Sequence, residues 1–168
     1  DIFIQEPGIP RQQQELILLC LSQIRYVQVD EIKYCTWKYS HKGGFYWAGA
    51  YVTDKYAIVG SDDGESDSTS DSSYVYCFDK LTGEVVQKVG PHHGDIRSDI
   101  SYYDGRIYFT SKGGYLYSYN LKEDGTIDTE NLIEPIEIGK MSTSTPAIAN
   151  GRCYVGSSYG SNFSGTYG

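Results

Sequence analysis

Eight residues carry the side-chain types that hold a polar ligand, and they fall in three short stretches: Tyr46 and Trp47; His92, His93, Asp95 and Arg97; and Ser142 and Thr143. Together they offer ring faces, a fixed cation, an anion, imidazoles and hydroxyls, the mixture with which clefts orient a polar small molecule or a peptide. Each piece also has a plainer role. Adjacent histidines point apart on an extended chain, so His92 and His93 are poor joint metal ligands and fit a solvated turn beside Pro91. Arg97 and Asp99, two residues apart, share one strand face and can satisfy each other's charge there. Asp62 and Asp63 open the run Asp62-Asp63-Gly64-Glu65-Ser66-Asp67, whose hard oxygens invite calcium. That run lacks EF-hand spacing and the distal Glu, and a flexible acidic loop is the competing reading. Asn162-Phe163-Ser164 fits a glycosylation sequon, a three-residue pattern common by chance. No Ser-His-Asp order, phosphate loop or His-Glu-x-x-His pair occurs in the sequence, so no catalytic residue is assigned.

What must position these groups is a repeat. Asp104-Gly105 is a hairpin turn, 106–111 a short strand, Lys112-Gly113-Gly114 a second turn and 115–120 an alternating strand with one buried face. The same eighteen-residue register recurs without a gap: 47–64 matches 97–114 at an offset of 50, and 97–114 matches 143–160 at an offset of 46. Asp54, Asp104 and Asn150 coincide in it, as do Val59, Phe109 and Val155, and Ser61, Ser111 and Ser157. A period of roughly 40–50 residues carrying several short strands is the mark of propeller blades. The expected fold is all-β, a partial β-propeller of about three and a half four-stranded antiparallel blades. In that architecture first strands line a central channel, and the loops between blades share a face with those joining second to third strands. Trp47, Arg97 and Thr143 then stand at equivalent channel positions. His41, Tyr46, His92, His93, Asp95 and Ser142 lie near them, and Asp62, Asp63 and Lys112 come from the other loops.

Composition agrees. Within 168 residues, 17 tyrosines suit half-exposed strand faces and 19 glycines suit the turns between them. A net charge of −8 argues against nucleic acid or an anionic membrane as the main partner, because both need a basic face. The most apolar run, 16–21, is far short of the ~20 residues that span a bilayer, so no membrane insertion is expected. Cys20, Cys35, Cys77 and Cys153 form no Cys-x-x-Cys pair and sit in apolar runs, which reads as buried free thiols.

Taken in order, 1–40 is expected to form a degenerate blade. Strands at 16–21 and 25–30 and a closing strand at 35–39 fit the register extended backwards, and the Tyr26-Val27-Gln28-Val29 alternation supports them. The alternative is an amphipathic helix over 12–29, with Leu16, Leu19, Cys20, Ile24 and Val27 on one face. The second blade, 41–90, is expected to hold strands at 45–52, 56–61, 74–78 and 84–89, with the polar insertion 62–73 between the second and third. The third, 91–140, holds strands near 96–103, 106–111, 115–120 and 133–138, and the fourth, 141–168, is truncated after two. Ring closure takes about four to eight blades, so the chain is expected to be a fragment of a longer propeller or to pair with another copy.

Cys77-Phe78-Asp79-Lys80-Leu81-Thr82-Gly83-Glu84-Val85-Val86-Gln87 resembles the repeat signature of the pyrroloquinoline-quinone (PQQ)-like β-propellers, A-x-D-x-x-T-G-x-x-x-W. Asp79, Thr82 and Gly83 match it, Cys77 stands for the small residue and Gln87 for the tryptophan. The Asp side chain is expected to accept backbone N–H groups across the turn, with Gly taking the left-handed position. A looser copy runs from 118 to Asp124-Gly125, and a shortened one from Asp30 to Trp37. Tyr46-Trp47-Ala48-Gly49 and 141–146 are similar to the surface-protein members of that family. The resemblance implies an exported bacterial protein at the cell surface, working without enzymatic activity in ligand or protein recognition or scaffolding. Its partners would be a peptide or glycan, another copy, or the missing blades of a parent chain. The family also contains quinone-dependent dehydrogenases, which cap PQQ with adjacent cysteines and bind calcium through dedicated carboxylates. This sequence has no adjacent cysteines, so no cofactor is expected, and PQQ with calcium belongs to the alternative of a dehydrogenase fragment. A carbohydrate-binding surface module is the other alternative.

Overall fold

The computed structural model describes residues 17–21, 35–64 and 70–159. Among them the chain is all-β, with no helix and twelve strands. β1 (Ile17–Leu21) pairs antiparallel with β2 (Cys35–Ser40). β3 (Tyr51–Val52), β4 (Tyr56–Gly60), β5 (Ser73–Asp79) and β6 (Val85–His92) form one four-stranded antiparallel meander. β7 (Ser101–Tyr103), β8 (Arg106–Thr110), β9 (Tyr115–Asn120) and β10 (Ile136–Glu137) form a second, and β11 (Ala147–Ala149) pairs with β12 (Arg152–Tyr154).

Local chemistry accounts for the turns. Asp104 and Gly105 both take positive φ, as do Asn150 and Gly151, giving the two-residue turns whose twist matches the flanking strands. In the first meander Lys55 stands where those turns have glycine. Thr53 closes that turn instead, its hydroxyl accepting the Tyr56 N–H at 2.9 Å.

Alternation along β4 and β5 buries both faces of the first meander. Ile58, Val75 and Cys77 point into a core shared with Ile96, Ile107, Phe109 and Tyr117 of the second meander and its approach. Val59, Tyr76 and Phe78 point the other way, onto Phe45, Trp37 and Tyr39. A strand covered on both sides reads as a continuous apolar run, which is why 74–78 shows no clean period of two. The meanders thus stack face to face, and they also meet through their first strands: Tyr51 and Tyr102 stack at 4.9 Å, and Ile100 N–H donates to Gly49 C=O at 3.2 Å.

The repeat register reappears in backbone bonds. Ile96 N–H donates to Ser61 C=O and Ser142 N–H to Ser111 C=O, both at 3.2 Å, the second pair displaced from the first by 46 and 50 residues. Lys112 N–H to Asp95 C=O and Ser158 N–H to Met141 C=O are likewise equivalent, each at 2.8 Å.

Several expectations are corrected. β1 pairs directly with β2, so no third strand lies between them as the degenerate blade required, and 17–21 is strand where the alternative had helix. The expected strand at 25–30 lies outside the described residues. The first strands of the two meanders are shorter than expected, two and three residues; before β3, Trp47 turns to φ +62° and interrupts the extended run. β10 is two residues long where 133–138 was expected. Cys77 is a buried free thiol as expected, but Cys153 is exposed.

Candidate functional site

The end of β4, the loop before β7 and the turn after β8 bring two carboxylates and two cations together. Asp62 lies just past the end of β4, and the Asp62 N–H donates to Gly44 C=O at 3.0 Å. Arg97 reaches back from the second repeat and grips Asp62 with two nitrogens, Nε at 3.0 Å and Nη2 at 2.7 Å from Oδ2. Nη2 also meets Asp95 Oδ2 at 3.1 Å, and Lys112 Nζ approaches the same oxygen at 3.8 Å. The other Asp95 oxygen accepts the Asp63 N–H at 3.2 Å. Asp62 is 6% exposed and Asp95 2%.

Burial dominates the proton affinities here. It pushes the Asp62 carboxyl up to about 6; the Arg97 hydrogen bond opposes the rise and the Asp95 charge adds to it. Asp95 is raised by burial too, against the Asp63 N–H and Arg97. For Arg97 burial works against the charge, but the hydrogen bond to Asp62 and the two carboxylates outweigh it and hold the guanidinium above its ordinary value.

Two aromatic rings close over this cluster. The Arg97 guanidinium carbon lies 4.9 Å from the Tyr46 ring centre and 5.4 Å from that of Trp47, and the two rings sit 4.8 Å apart. Trp47 is 61% exposed and holds a left-handed backbone, which costs a bulky L-residue about 1–2 kcal/mol. A strained, exposed indole beside a doubly paired guanidinium is a fixed platform open to solvent over most of its surface.

Of the expected site residues the structure gathers Tyr46, Trp47, Asp95, Arg97 and Asp62, with Lys112 and Asp63 beside them. Others do different work. Arg97 pairs with Asp62 and Asp95 and not with Asp99, which is exposed and takes its N–H to Thr145 Oγ1. His92 is no solvated turn residue: 2% exposed, it wedges edge-on against Phe109 and Tyr117, with Nε2 at 2.8 Å from the Tyr119 hydroxyl. Burial pushes its imidazole down to about 4. His93 points away from it, as expected, and pairs through Nδ1 with Asp71 at 2.6 Å. Ser142 is buried, donating to Gly156 C=O at 2.6 Å, and Thr143 beside it is exposed. Asp63 accepts from the hydroxyls of Ser70 and Ser72. Both described ends of the acidic insertion are therefore tied down, a tethering that the low-complexity composition gave no way to anticipate. Both Asp62 oxygens are committed to Arg97, and among the described residues no group of three His, Cys, Asp or Glu side chains converges on a metal position.

The signature turn has the expected geometry. Asp79 Oδ1 accepts the Leu81 and Thr82 N–H groups, each at 2.9 Å, and Gly83 has φ +76°. Trp37 lies on this turn: its Nε1–H donates to Lys80 C=O at 2.9 Å, and a Cβ on Gly83 would fall 2.5 Å from its ring. Fifty residues on, Gln87 grips Ile127 of the next meander by both backbone groups, at 2.7 and 3.0 Å. Gln87 thus replaces a ring contact with a paired amide.

No protein-family model and no curated protein matches this chain.

Proposed function

We propose that this chain is a non-enzymatic segment of a PQQ-like β-propeller from an exported bacterial protein, serving recognition or scaffolding at the cell surface. Support for the propeller reading comes from the face-to-face meanders, the adjoining first strands and the equivalent bonds at offsets of 46 and 50. The Asp79–Gly83 turn under Trp37 supports the family.

The observation that carries recognition is Trp47. A solvent-facing indole in a strained backbone conformation, beside Tyr46 and Arg97, contributes little to a core and offers contact area at low entropic cost. The charges beneath it are already paired with one another, which suits positioning better than acid–base turnover. Immobilised peptide and glycan arrays test this. The wild-type chain binds a subset, and Trp47→Ala loses that signal while keeping its far-UV spectrum. Sustained dye reduction with an alcohol after adding PQQ and calcium would overturn the non-enzymatic assignment.

A further inference from the structure

We infer that the Trp47 platform is a carbohydrate subsite, taking the apolar face of a neutral pyranose. This rests on the recognition reading above and names its ligand class.

Three features of the geometry select that class. The first is the platform's shape. Tyr46 is half-buried against Trp47, so the two rings make one angled shelf with their planes 45° apart and not a pocket. A shelf takes a flat ligand on one face. The axial C–H groups of a pyranose carry partial positive charge and meet the negative face of an indole favourably.

The second is the charge balance. Asp62 and Asp95 face Arg97 and Lys112, and Arg97 is spoken for at Nε and Nη2. Two carboxylates against two cations leave neither a strong positive field for an acidic ligand nor an open carboxylate pair for a basic one. An uncharged ligand loses nothing by approaching such a self-neutralised cluster, and its hydroxyls both donate and accept.

The third is rigidity. The guanidinium under the rings is fixed by Asp62 and Asp95, so the indole needs little ordering on binding. The left-handed φ of Trp47 sets the direction in which its Cα–Cβ bond leaves the backbone.

The test is a fluorescence and calorimetric titration with neutral hexasaccharides (cello-, malto-, manno- and N-acetylchito-hexaose), plus hexagalacturonate and fully deacetylated chitohexaose as charged controls. We expect at least one neutral sugar to change Trp emission and bind with a dissociation constant of about 1 mM or tighter. Trp47→Ala weakens that binding by about tenfold or more, the equivalent of one stacked ring, and Trp47→Phe recovers part of it. Matching circular dichroism and melting curves for the three proteins establish that the loss is local. If no neutral sugar binds, but an array peptide or a charged sugar does so in a Trp47-dependent way, the carbohydrate assignment falls and the recognition reading stands. If nothing on the arrays or in the titrations depends on Trp47, both fall.

Discussion

Asp62 and His92 are both buried, and burial moves their proton affinities in opposite directions because one is charged when deprotonated and the other when protonated. Asp62 titrates near 6 in the folded chain against an ordinary 3.8, so the native state holds that proton more tightly than the unfolded chain. Its contribution to stability is complete below pH 3.8 and is lost as pH rises through about 6. His92 titrates near 4 against 6.5, so its contribution is complete above pH 6.5 and is lost as pH falls through about 4. Between those limits the two slopes oppose each other. Asp62→Asn removes one, and its melting temperature falls more steeply than wild type on acidification from pH 6.5 to 4. His92→Gln removes the other, and its profile is flatter than wild type or rises. Thermal melts across that range check both; parallel profiles for wild type and Asp62→Asn would mean that Asp62 does not titrate there. Trp47 supplies a second prediction at this scale. Asparagine tolerates the left-handed region, so Trp47→Asn relieves about 1–2 kcal/mol of strain and gives up two ring contacts. Its melting temperature is expected to match or exceed that of wild type. A clear loss would make the indole a structural residue.

At the scale of elements, the contact between one sheet and the turn of the next is where the repeats are joined. Gly83→Ala places a methyl group in the left-handed region and into the Trp37 ring, and it is expected to cost about 2 kcal/mol or more. In a Trp37→Ala background the overlap disappears and only the backbone part remains, so a double-mutant cycle by urea unfolding gives a coupling energy. Additive losses would place Trp37 away from this turn. Gln87→Leu strands both backbone groups of Ile127, which is fully buried, at a cost of about 1–3 kcal/mol in the same assay. These joints also mark how far the sequence could be read. β4, β8 and β9 and the Asp104-Gly105 turn were legible because alternation and turn chemistry are local signals. The inter-repeat bonds at Ser61 and Ser111 were foreshadowed by the register alone. The repeat register gathers Arg97, Trp47 and Asp62 on one face, but the two-residue spacing of Arg97 and Asp99 offers a rival pairing, and spacing alone does not rank the two. The burial of His92 is not legible beside Pro91, because Phe109, Tyr117 and Tyr119 of the other sheet create it. The shortness of β3 was hidden in the same way, as nothing in Tyr46-Trp47-Ala48-Gly49 announces a positive φ at the indole.

At the scale of the whole molecule the repeats are not equally covered. Ile107 of β8 is fully buried, whereas its counterpart Cys153 of β12 is exposed, as is Tyr154 beside it. Among the described residues β12 is bonded to β11 alone, while β8 has a strand on either side. In the propeller we propose, that open layer is filled by further blades of a parent chain or by a second copy. The second of these is testable on the chain itself. An exposed strand edge beside apolar side chains favours pairing, and a net charge of −8 on each copy opposes it. The expected outcome is a salt-dependent dimer: light scattering at low ionic strength gives a mass near that of one chain, and at about 0.5 M salt, where the Debye length falls to roughly 4 Å, near that of two. Charge substitution on the open edge separates this from general stickiness. Tyr154→Lys puts a cation on the exposed face of β12 without touching either meander's core, and it should hold the chain monomeric in high salt with an unchanged melting temperature. A dimer that survives Tyr154→Lys would put the interface elsewhere. A monomer at every salt concentration would rule out a second copy as the cover of β12.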